Sequence, residues 1–372
     1  MRFIFNKQWL FPFLFFLSIS GLLVFSWFRF GYIYGGGDVG LQTYNPPRIL
    51  EISRYIWWEA TAPGSPTPQG LTAIPFNLMF SLLKLLGFSP VMLQVSLFFL
   101  ILLSMGLGMY LLILFLFGKD YRKYAILGGL FYMFNPYMMI QVWHRFVHST
   151  FFLSAALPFL IIFWIKWIRD KNTGALLIFL FINLFSLYAF GTIAYILTLW
   201  LLLFLITLPE IIFPWSDLQN AKKVLLLFLT GFLFWFLTNI WWLLPIFKIA
   251  PSFLSEQHSN EQTLATLYTL GYQTILPYSL QMINPFYLFS QLDFGTSYQN
   301  VFIRIIPWIF VAIIFVGLVR GIFNSKFAKW SVIYLVVLIF SKGVASPLGY
   351  FYVFGMKHFF SLGVLRLSLI HI

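Results

Sequence analysis

Long apolar runs separated by short polar segments make up most of this chain. A run of about 20 such residues can cross a lipid bilayer as a helix. The first run follows two basic residues but has no small-residue cleavage site at its end, so we expect it to be retained as a span. The pattern predicts about nine spans, over residues 9–28, 91–117, 124–141, 150–168, 173–190, 192–213, 223–247, 301–319 and 330–349.

One further apolar stretch, residues 71–87, is short and is interrupted by Pro75 and Lys84. If it crossed the membrane, the basic loop at residues 119–123 would face outward and every later loop would invert. We therefore expect a helix that lies in the outer membrane interface or re-enters the bilayer.

Composition agrees with a membrane protein, since 61% of the residues are hydrophobic and 9% are charged, against about 25% charged in soluble domains. We predict an all-α polytopic bundle forming one domain over residues 1–372. The chain has no cysteine, which excludes disulfides and thiolate metal sites. The net charge of +13 indicates no nucleic-acid partner, because the basic residues sit mainly in short loops between spans. Their distribution predicts a cytoplasmic N-terminus in the plasma membrane, with membrane lipids as neighbours.

Two long segments then face outward, residues 29–90 and 248–300. In the first, Pro46-Pro47 followed by apolar positions up to Trp58 predicts an amphipathic helix that starts at proline. Most of the ten acidic residues lie in these outer segments.

Asp38 is the most informative residue, because it follows three glycines just beyond the first span. Glycine allows a tight turn and a close approach to another group. A carboxylate at the membrane surface can serve as a general base for a lipid-linked substrate. The alternative is a surface turn in which Asp38 caps the next helix.

A short outer loop carries a cation cluster that suits a phosphate. Arg145 can pair with two phosphate oxygens, while His144 and His148 can donate hydrogen bonds from one helical face. The histidine spacing also fits a metal pair, but no carboxylate stands nearby in sequence, so we predict no metal; a divalent ion is left open. Arg145 as an anchor in lipid headgroups is an equally good interpretation.

Other candidates lie further along the chain. Trp241-Trp242 forms either an interfacial belt or a stacking platform for a sugar ring, and the belt is the commoner arrangement. Glu256 and His258 of the late outer segment are candidate sugar or acceptor contacts. Asn135-Pro136 inside the third predicted span indicates a kink. The sequence contains no phosphate-binding loop, zinc-protease helix motif or nucleophile elbow.

Several short motifs in this order resemble the polytopic glycosyltransferases of the GT-C fold, and most closely the membrane region of the mycobacterial-type α-(1→3)-arabinofuranosyltransferases that carry a DUF3367 region. Each motif alone is common, and the ordered series carries the resemblance. The motifs are GDVG at 37–40, GLFYMFNPY at 129–137, AALPF at 155–159, YAFGT at 188–192, IWWLLP at 240–245 and APSFL at 250–254.

The resemblance implies transfer of a sugar from a polyprenyl-phosphate donor to a glycan or lipid-linked acceptor on the outer face. Asp38 would be the base that deprotonates the acceptor hydroxyl, and cations such as Arg145 and His144 would stabilise the leaving phosphate. No cofactor is implied. The family's paired acidic motif is reduced here to one aspartate, and its members often continue with outer carbohydrate-binding domains, so we expect the protein to extend beyond Ile372.

A second class of function stays open on the sequence. Many spans with modest outer loops also fit a lipid or polysaccharide transporter, or a flippase, that forms no glycosidic bond. The near absence of ionisable groups within the spans argues against ion-coupled transport.

Overall fold

The structure, a computed structural model, describes residues 7–34, 43–58, 65–66, 68–139, 148–191, 193–212, 218–256, 276–282, 300–341, 344–345, 349–350 and 353–354. Its helices are α1 Lys7–Phe28, α2 Pro46–Ser53, α3 Ile74–Leu85, α4 Pro90–Phe117, α5 Arg122–Phe134, α6 Pro136–Met138, α7 His148–Asp170, α8 Thr173–Phe185, α9 Ile193–Ile212, α10 Leu218–Glu256, α11 Leu276–Gln281, α12 Val301–Ile322 and α13 Ser325–Ser341. Short 3₁₀ turns cover Pro68–Ala73, Lys119–Tyr121 and Leu187–Gly191. Two-residue strands β1 Trp57–Trp58 and β2 Ser65–Pro66 pair antiparallel.

Six helices in the described part of the chain are long and apolar enough to cross a membrane. The prediction of a helical membrane protein is confirmed. The six apolar stretches are Leu10–Phe28, Pro90–Phe117, His148–Asp170, Tyr195–Ile212, Gln219–Lys248 and Ile305–Ile322.

Three predicted spans correspond to shorter helices. Helix α5 ends at Phe134, because Asn135 caps α6 by accepting from the Met138 N–H, with Pro136 at the first helical position. The predicted kink at Asn135-Pro136 is thus a break between two helices. Helix α8 ends at Phe185 and passes into the turn Leu187–Gly191, and α13 ends at Ser341.

The helices at the predicted outer interface are short, as expected. The apolar stretch at 71–87 forms α3, with 12 residues, which is too few to span a bilayer. Helix α2 begins at Pro46, as the sequence predicts, and Asn45 caps it, but it ends at Ser53, before the tryptophans.

The chain divides into two compact units. The first comprises Met1–Phe134, Gln141–Thr192 and Glu210–Ala250. The second comprises Asn135–Ile140, Ile193–Pro209 and Pro251–Ile372. In the second unit α12 packs on α13, and α11 contacts both.

Helix α4 is the centre of the first unit and contacts α1, α5 and α7. Glycines on α4 and α5 allow α1 to approach these two helices closely. The ring of Phe16 from α1 lies in a notch between Gly106 of α4 and Gly129 of α5, where a side chain on either glycine would collide with it.

Helices α4 and α7 run parallel, since Phe98 contacts Phe151, Gly108 lies against Phe159 and Phe115 lies under the Lys166 ammonium group. Pro158 of α7 cannot donate to the carbonyl four residues earlier. That carbonyl, on Ser154, instead accepts from the Tyr132 hydroxyl of α5 at 2.9 Å.

Candidate functional site

A buried carboxamide on α4 holds two separated points of the chain. The Tyr34 N–H donates to Oε1 of Gln94 at 2.8 Å, and Nε2 of Gln94 donates to the Tyr34 carbonyl at 2.6 Å. The same nitrogen donates to the Thr43 hydroxyl at 3.2 Å. Gln94 and Thr43 are each 2% exposed. Tyr34 and Thr43 therefore meet at one side chain, at the end of the first unit that we call the anchor end.

The local sequence places Gln94 near the start of α4. Ser89 caps α4 by accepting from the Met92 N–H, and Pro90 occupies the first helical position, so Gln94 falls in the second turn. One turn further, Phe98 packs edge-on to the Tyr34 ring at 6.4 Å. Phe28 also contacts that ring, at 5.3 Å. Both the backbone and the ring of Tyr34 are thus fixed.

Asp38 lies outside the described residues, between these two fixed points. It follows Tyr34 by four residues and precedes Thr43 by five.

His148, the first residue of α7, is buried among aromatic rings. Its ring centroid lies 5.6 Å from that of Tyr188, 5.9 Å from Phe151 and 6.3 Å from Phe76. The side chain is 4% exposed, and Nδ1 has no hydrogen-bond partner within the described ranges. A buried polar atom left unpaired costs about 1–3 kcal/mol, which makes this nitrogen a candidate ligand-binding atom.

The histidine site is continuous with the anchor end. Phe151, which contacts His148, packs on Phe98 at 5.4 Å, and Phe98 in turn contacts Tyr34. Tyr188 lies in the turn after α8, outside the six long apolar helices, and burial raises the pKa of its phenol to about 12. Its hydroxyl therefore stays protonated near neutral pH.

The remaining predicted site residues divide into two groups. His144, Arg145 and His258 lie outside the described residues. Glu256 is the last residue of α10, and only its backbone is described. His148 is the described member of the predicted phosphate cluster, and it lies in an aromatic enclosure.

The two tryptophans of α10 differ in exposure. Trp242 is fully buried, and its indole N–H donates to Oδ1 of Asn239 at 2.8 Å. The Asn239 amide in turn donates to Oδ1 of Asn183 on α8 at 3.3 Å. Trp241 is 40% exposed and is the member of the pair that can meet lipid or a sugar.

Basic residues gather at the opposite end of the first unit, where α4 and α7 end and α5 and α10 begin. In the described part of the chain, no three histidine, aspartate or glutamate side chains lie together as a metal site. The basic residues of this end, called the basic end below, are Lys119, Arg122, Lys123, Lys166, Arg169, Lys171, Lys222 and Lys223.

Comparison with known proteins was made at the level of families, of curated sequences and of solved structures. No family model, no curated protein and no solved structure matches this chain. What the protein does is therefore inferred from its own residues and contacts.

The sequence pattern missed the role of Gln94. The available signal was a carboxamide inside the long apolar run 90–117, where an unpaired polar side chain would be costly. Asn183 and Asn239 carry the same signal in α8 and α10. The partners could not be foreseen, since Tyr34 and Thr43 are 60 and 51 residues away along the chain.

Proposed function

We propose that this protein is a membrane glycosyltransferase, which moves a sugar from a polyprenyl-phosphate donor to a glycan or lipid-linked acceptor, with Asp38 as the general base. The observation that supports this proposal most is that Gln94 binds Tyr34 and Thr43, the residues on either side of the segment 35–42. Asp38 is the one ionisable residue of that segment. A carboxylate held near a membrane boundary can accept a proton from a bound hydroxyl.

The proposed orientation puts the anchor end at the outer face of the plasma membrane. It is supported by the basic end, since short loops rich in Lys and Arg favour the cytoplasmic side. The N-terminus is then cytoplasmic. The fold proposed with this function is a GT-C-like bundle of about nine spans, in agreement with the motif series described above.

The proposed reaction is a single displacement at the anomeric carbon. The Asp38 carboxylate takes the proton of the acceptor hydroxyl, and that oxygen forms the new bond to the anomeric carbon. The bond from this carbon to the lipid-phosphate oxygen breaks, and the phosphate leaves with the electron pair. A single displacement of this kind inverts the configuration of the anomeric carbon.

The leaving phosphate needs positive charge or hydrogen-bond donors nearby. His144 and Arg145 precede His148 by four and three residues in the chain. These three residues form the proposed phosphate site, and His148 contributes its unpaired Nδ1. Trp241, Glu256 and His258 are the proposed sugar or acceptor contacts, whereas Trp242 is buried in the helix packing and is not proposed as one.

The test is sugar transfer by the purified protein in reconstituted membranes, with a polyprenyl-phosphate sugar as donor. Asp38→Asn keeps the size of the side chain but removes the base, and we expect transfer to fall about 100- to 10,000-fold. Asp120→Asn is the matched control, because Asp120 is exposed in the turn at the basic end. It should transfer sugar at the unmodified rate.

Full activity of Asp38→Asn would reject the assignment of the base. Movement of labelled lipid between leaflets without any new glycosidic bond would reject the enzyme and favour the flippase. Both measurements use the same vesicles, so the two functions are compared on one sample.

A further inference from the structure

Lys166 holds its ammonium group against two aromatic rings, in the groove between α4 and α7. Its Nζ lies 5.7 Å from the centre of the Phe115 ring on α4 and 5.5 Å from that of Phe163, one turn earlier on α7. The side chain therefore leans back along α7, as side chains in helices do, and does not extend past the helix end at Asp170. Since Phe115 precedes the end of α4 by two residues, the charge stands below the ends of both helices.

This charge lacks an acidic partner in the part of the chain that the structure describes, where no carboxylate oxygen lies within 4 Å of Lys166 Nζ. Aromatic faces attract a cation only weakly at a partly exposed site. A charged group at membrane depth is costly unless an anion pairs with it. Phe115 is 37% exposed, so the groove opens on the surface that meets lipid. An anion can therefore reach Lys166 from the lipid side.

Further cations stand beyond Lys166, where the helices end. Lys119 lies in the turn after α4 and Lys171 in the turn after α7, and both side chains are exposed. The ends of apolar spans lie at the level of the lipid headgroups. At this level the eight cations of the basic end outnumber the carboxylates that the structure describes there, which are Asp120, Asp170 and Glu210.

Helix α10 brings two of these cations to the same level. The Trp167 indole N–H donates to the Leu227 carbonyl at 3.0 Å, and Gly231 lies against the Trp164 ring, so α10 runs antiparallel to α7. The pair Lys222-Lys223 precedes Leu227 by about one turn. These two lysines are therefore level with the end of α7.

We propose that the basic end binds an anionic phospholipid, with the lipid phosphate at the Lys166 ammonium group and the acyl chains along the apolar surface beside Phe115. An ammonium group donates charge-assisted hydrogen bonds to phosphate oxygens. A phospholipid fits this groove better than a free anion, which would have to leave water to reach a charge held below the helix ends. The proposal does not depend on glycosyl transfer at the anchor end.

Native mass spectrometry of the purified full-length protein measures this binding directly. The probe is phosphatidylglycerol, and phosphatidylcholine with the same acyl chains is the comparison, since its headgroup has no net charge. We expect the unmodified protein to bind phosphatidylglycerol at least about fivefold more tightly. Inorganic phosphate at the same concentration should not displace the lipid.

Three variants test the role of Lys166. Lys166→Met removes the charge, keeps a side chain of similar length, and should weaken phosphatidylglycerol binding about fivefold with no change for phosphatidylcholine. Lys166→Arg keeps the charge and should bind like the unmodified protein. Lys84→Met is the matched control, because Lys84 is also half-buried but lies on α3, which packs at the start of α7 through Phe76 and His148. It should leave both affinities unchanged.

A second readout is the thermal unfolding of the protein in lipid nanodiscs. Because a ligand that binds the folded state raises Tm, phosphatidylglycerol should raise the Tm of the unmodified protein above its value in phosphatidylcholine. The rise should be smaller in Lys166→Met and unchanged in Lys84→Met. Lys119→Met alters an exposed turn outside the helix packing, and it should weaken phosphatidylglycerol binding about twofold or more.

The outcomes separate this site from a general effect of charge. Equal losses of affinity in Lys84→Met and Lys166→Met would overturn the proposal, because binding would then follow net charge alone. An affinity that Lys166→Met leaves unchanged would overturn it too, as would displacement of the lipid by inorganic phosphate. If Lys166→Met does not fold, Lys119→Met decides, since a weaker affinity supports the site and an unchanged one rejects it. No sugar donor is present in these assays, so they stand whether or not the protein transfers sugar.

Discussion

Gln94 and Asn239 are both buried carboxamides in long apolar helices, and they have different partners. Gln94 binds Tyr34 and Thr43, which lie between α1 and α2. Asn239 binds the Trp235 carbonyl of its own helix, the Trp242 indole one turn later and Asn183 of α8. The same chemistry therefore brings Tyr34 and Thr43 to one side chain at the anchor end and joins helices in the interior.

This difference predicts which substitutions should change the free energy of unfolding and which should change kcat. Breaking a helix-to-helix contact lowers the free energy of unfolding but leaves the folded molecules fully active. Under the proposed function, breaking the hydrogen bonds of Gln94 at the anchor end is expected to lower the kcat of the folded molecules. Variants of the interior test this division, since an interior variant that alters the kcat of the folded fraction would contradict it.

The largest effect is expected at the notch between α4 and α5. Gly129→Leu places its Cβ 2.8 Å from the Gly106 carbonyl oxygen, a backbone atom, and closer still to the Phe16 ring. Overpacking of this kind costs about 3 kcal/mol. Thermal unfolding of the purified protein measures it. Gly317→Leu on α12 is the control, because no described atom lies within 4 Å of that Cβ, and its stability should change by less than about 1 kcal/mol.

Removal of the Asn239 carboxamide should cause the next largest loss of stability. Asn239→Leu leaves the Trp242 N–H and Oδ1 of Asn183 without their partner in a buried site, which costs about 2 kcal/mol. The loss is again measured by thermal unfolding, and kcat per folded molecule should stay unchanged. In the double variant with Asn183→Leu the total should be smaller than the sum of the single losses, because one of the two stranded groups is gone. Strict additivity would show that the two amides do not interact.

A smaller loss of stability is expected at Tyr132, whose hydroxyl donates to a helix carbonyl that Pro158 cannot bond. Tyr132→Phe removes the donor to the Ser154 carbonyl and should cost about 1–2 kcal/mol. Adding Pro158→Ala supplies the N–H that proline lacks and should recover part of the stability. Tyr124→Phe on the same helix, 67% exposed, should be neutral in the same unfolding assay. No recovery with Pro158→Ala would show that the carbonyl is satisfied in another way.

The helices and their ends show how much of the structure could be predicted from the sequence. Apolar runs predicted α1, α4, α7, α9, α10 and α12, because length and hydrophobicity alone decide whether a helix can cross a membrane. Helix ends inside apolar runs were missed at residues 134 and 185. There a local cap and a 3₁₀ turn decide the end of the helix, and hydrophobicity does not change.

For the candidate site, the sequence predicted Asp38 from its glycine-rich setting at the end of a span, and His148 from its neighbours in a cation cluster. Asp38 lies outside the described residues and stays a prediction, and the structure places His148 among aromatic rings. The contacts of Gln94 were missed, because they join residues that are far apart in the chain. A pattern along the sequence carries periodicity but does not specify the partners of a buried amide.

The smallest effect is expected at the basic end. Arg169 binds Oε1 of Glu210 through Nη2 at 2.7 Å and through Nε at 3.1 Å, but their side chains are 50% and 34% exposed. Exposed ion pairs contribute about 0.2–1 kcal/mol, and salt screens them. Glu210→Gln should therefore lower stability by less than about 1 kcal/mol at low salt and by less still at high salt, with no change in kcat. A larger loss, or one that does not respond to salt, would mean that the pair is better shielded from water than its exposure indicates, and that the basic end behaves like the interior.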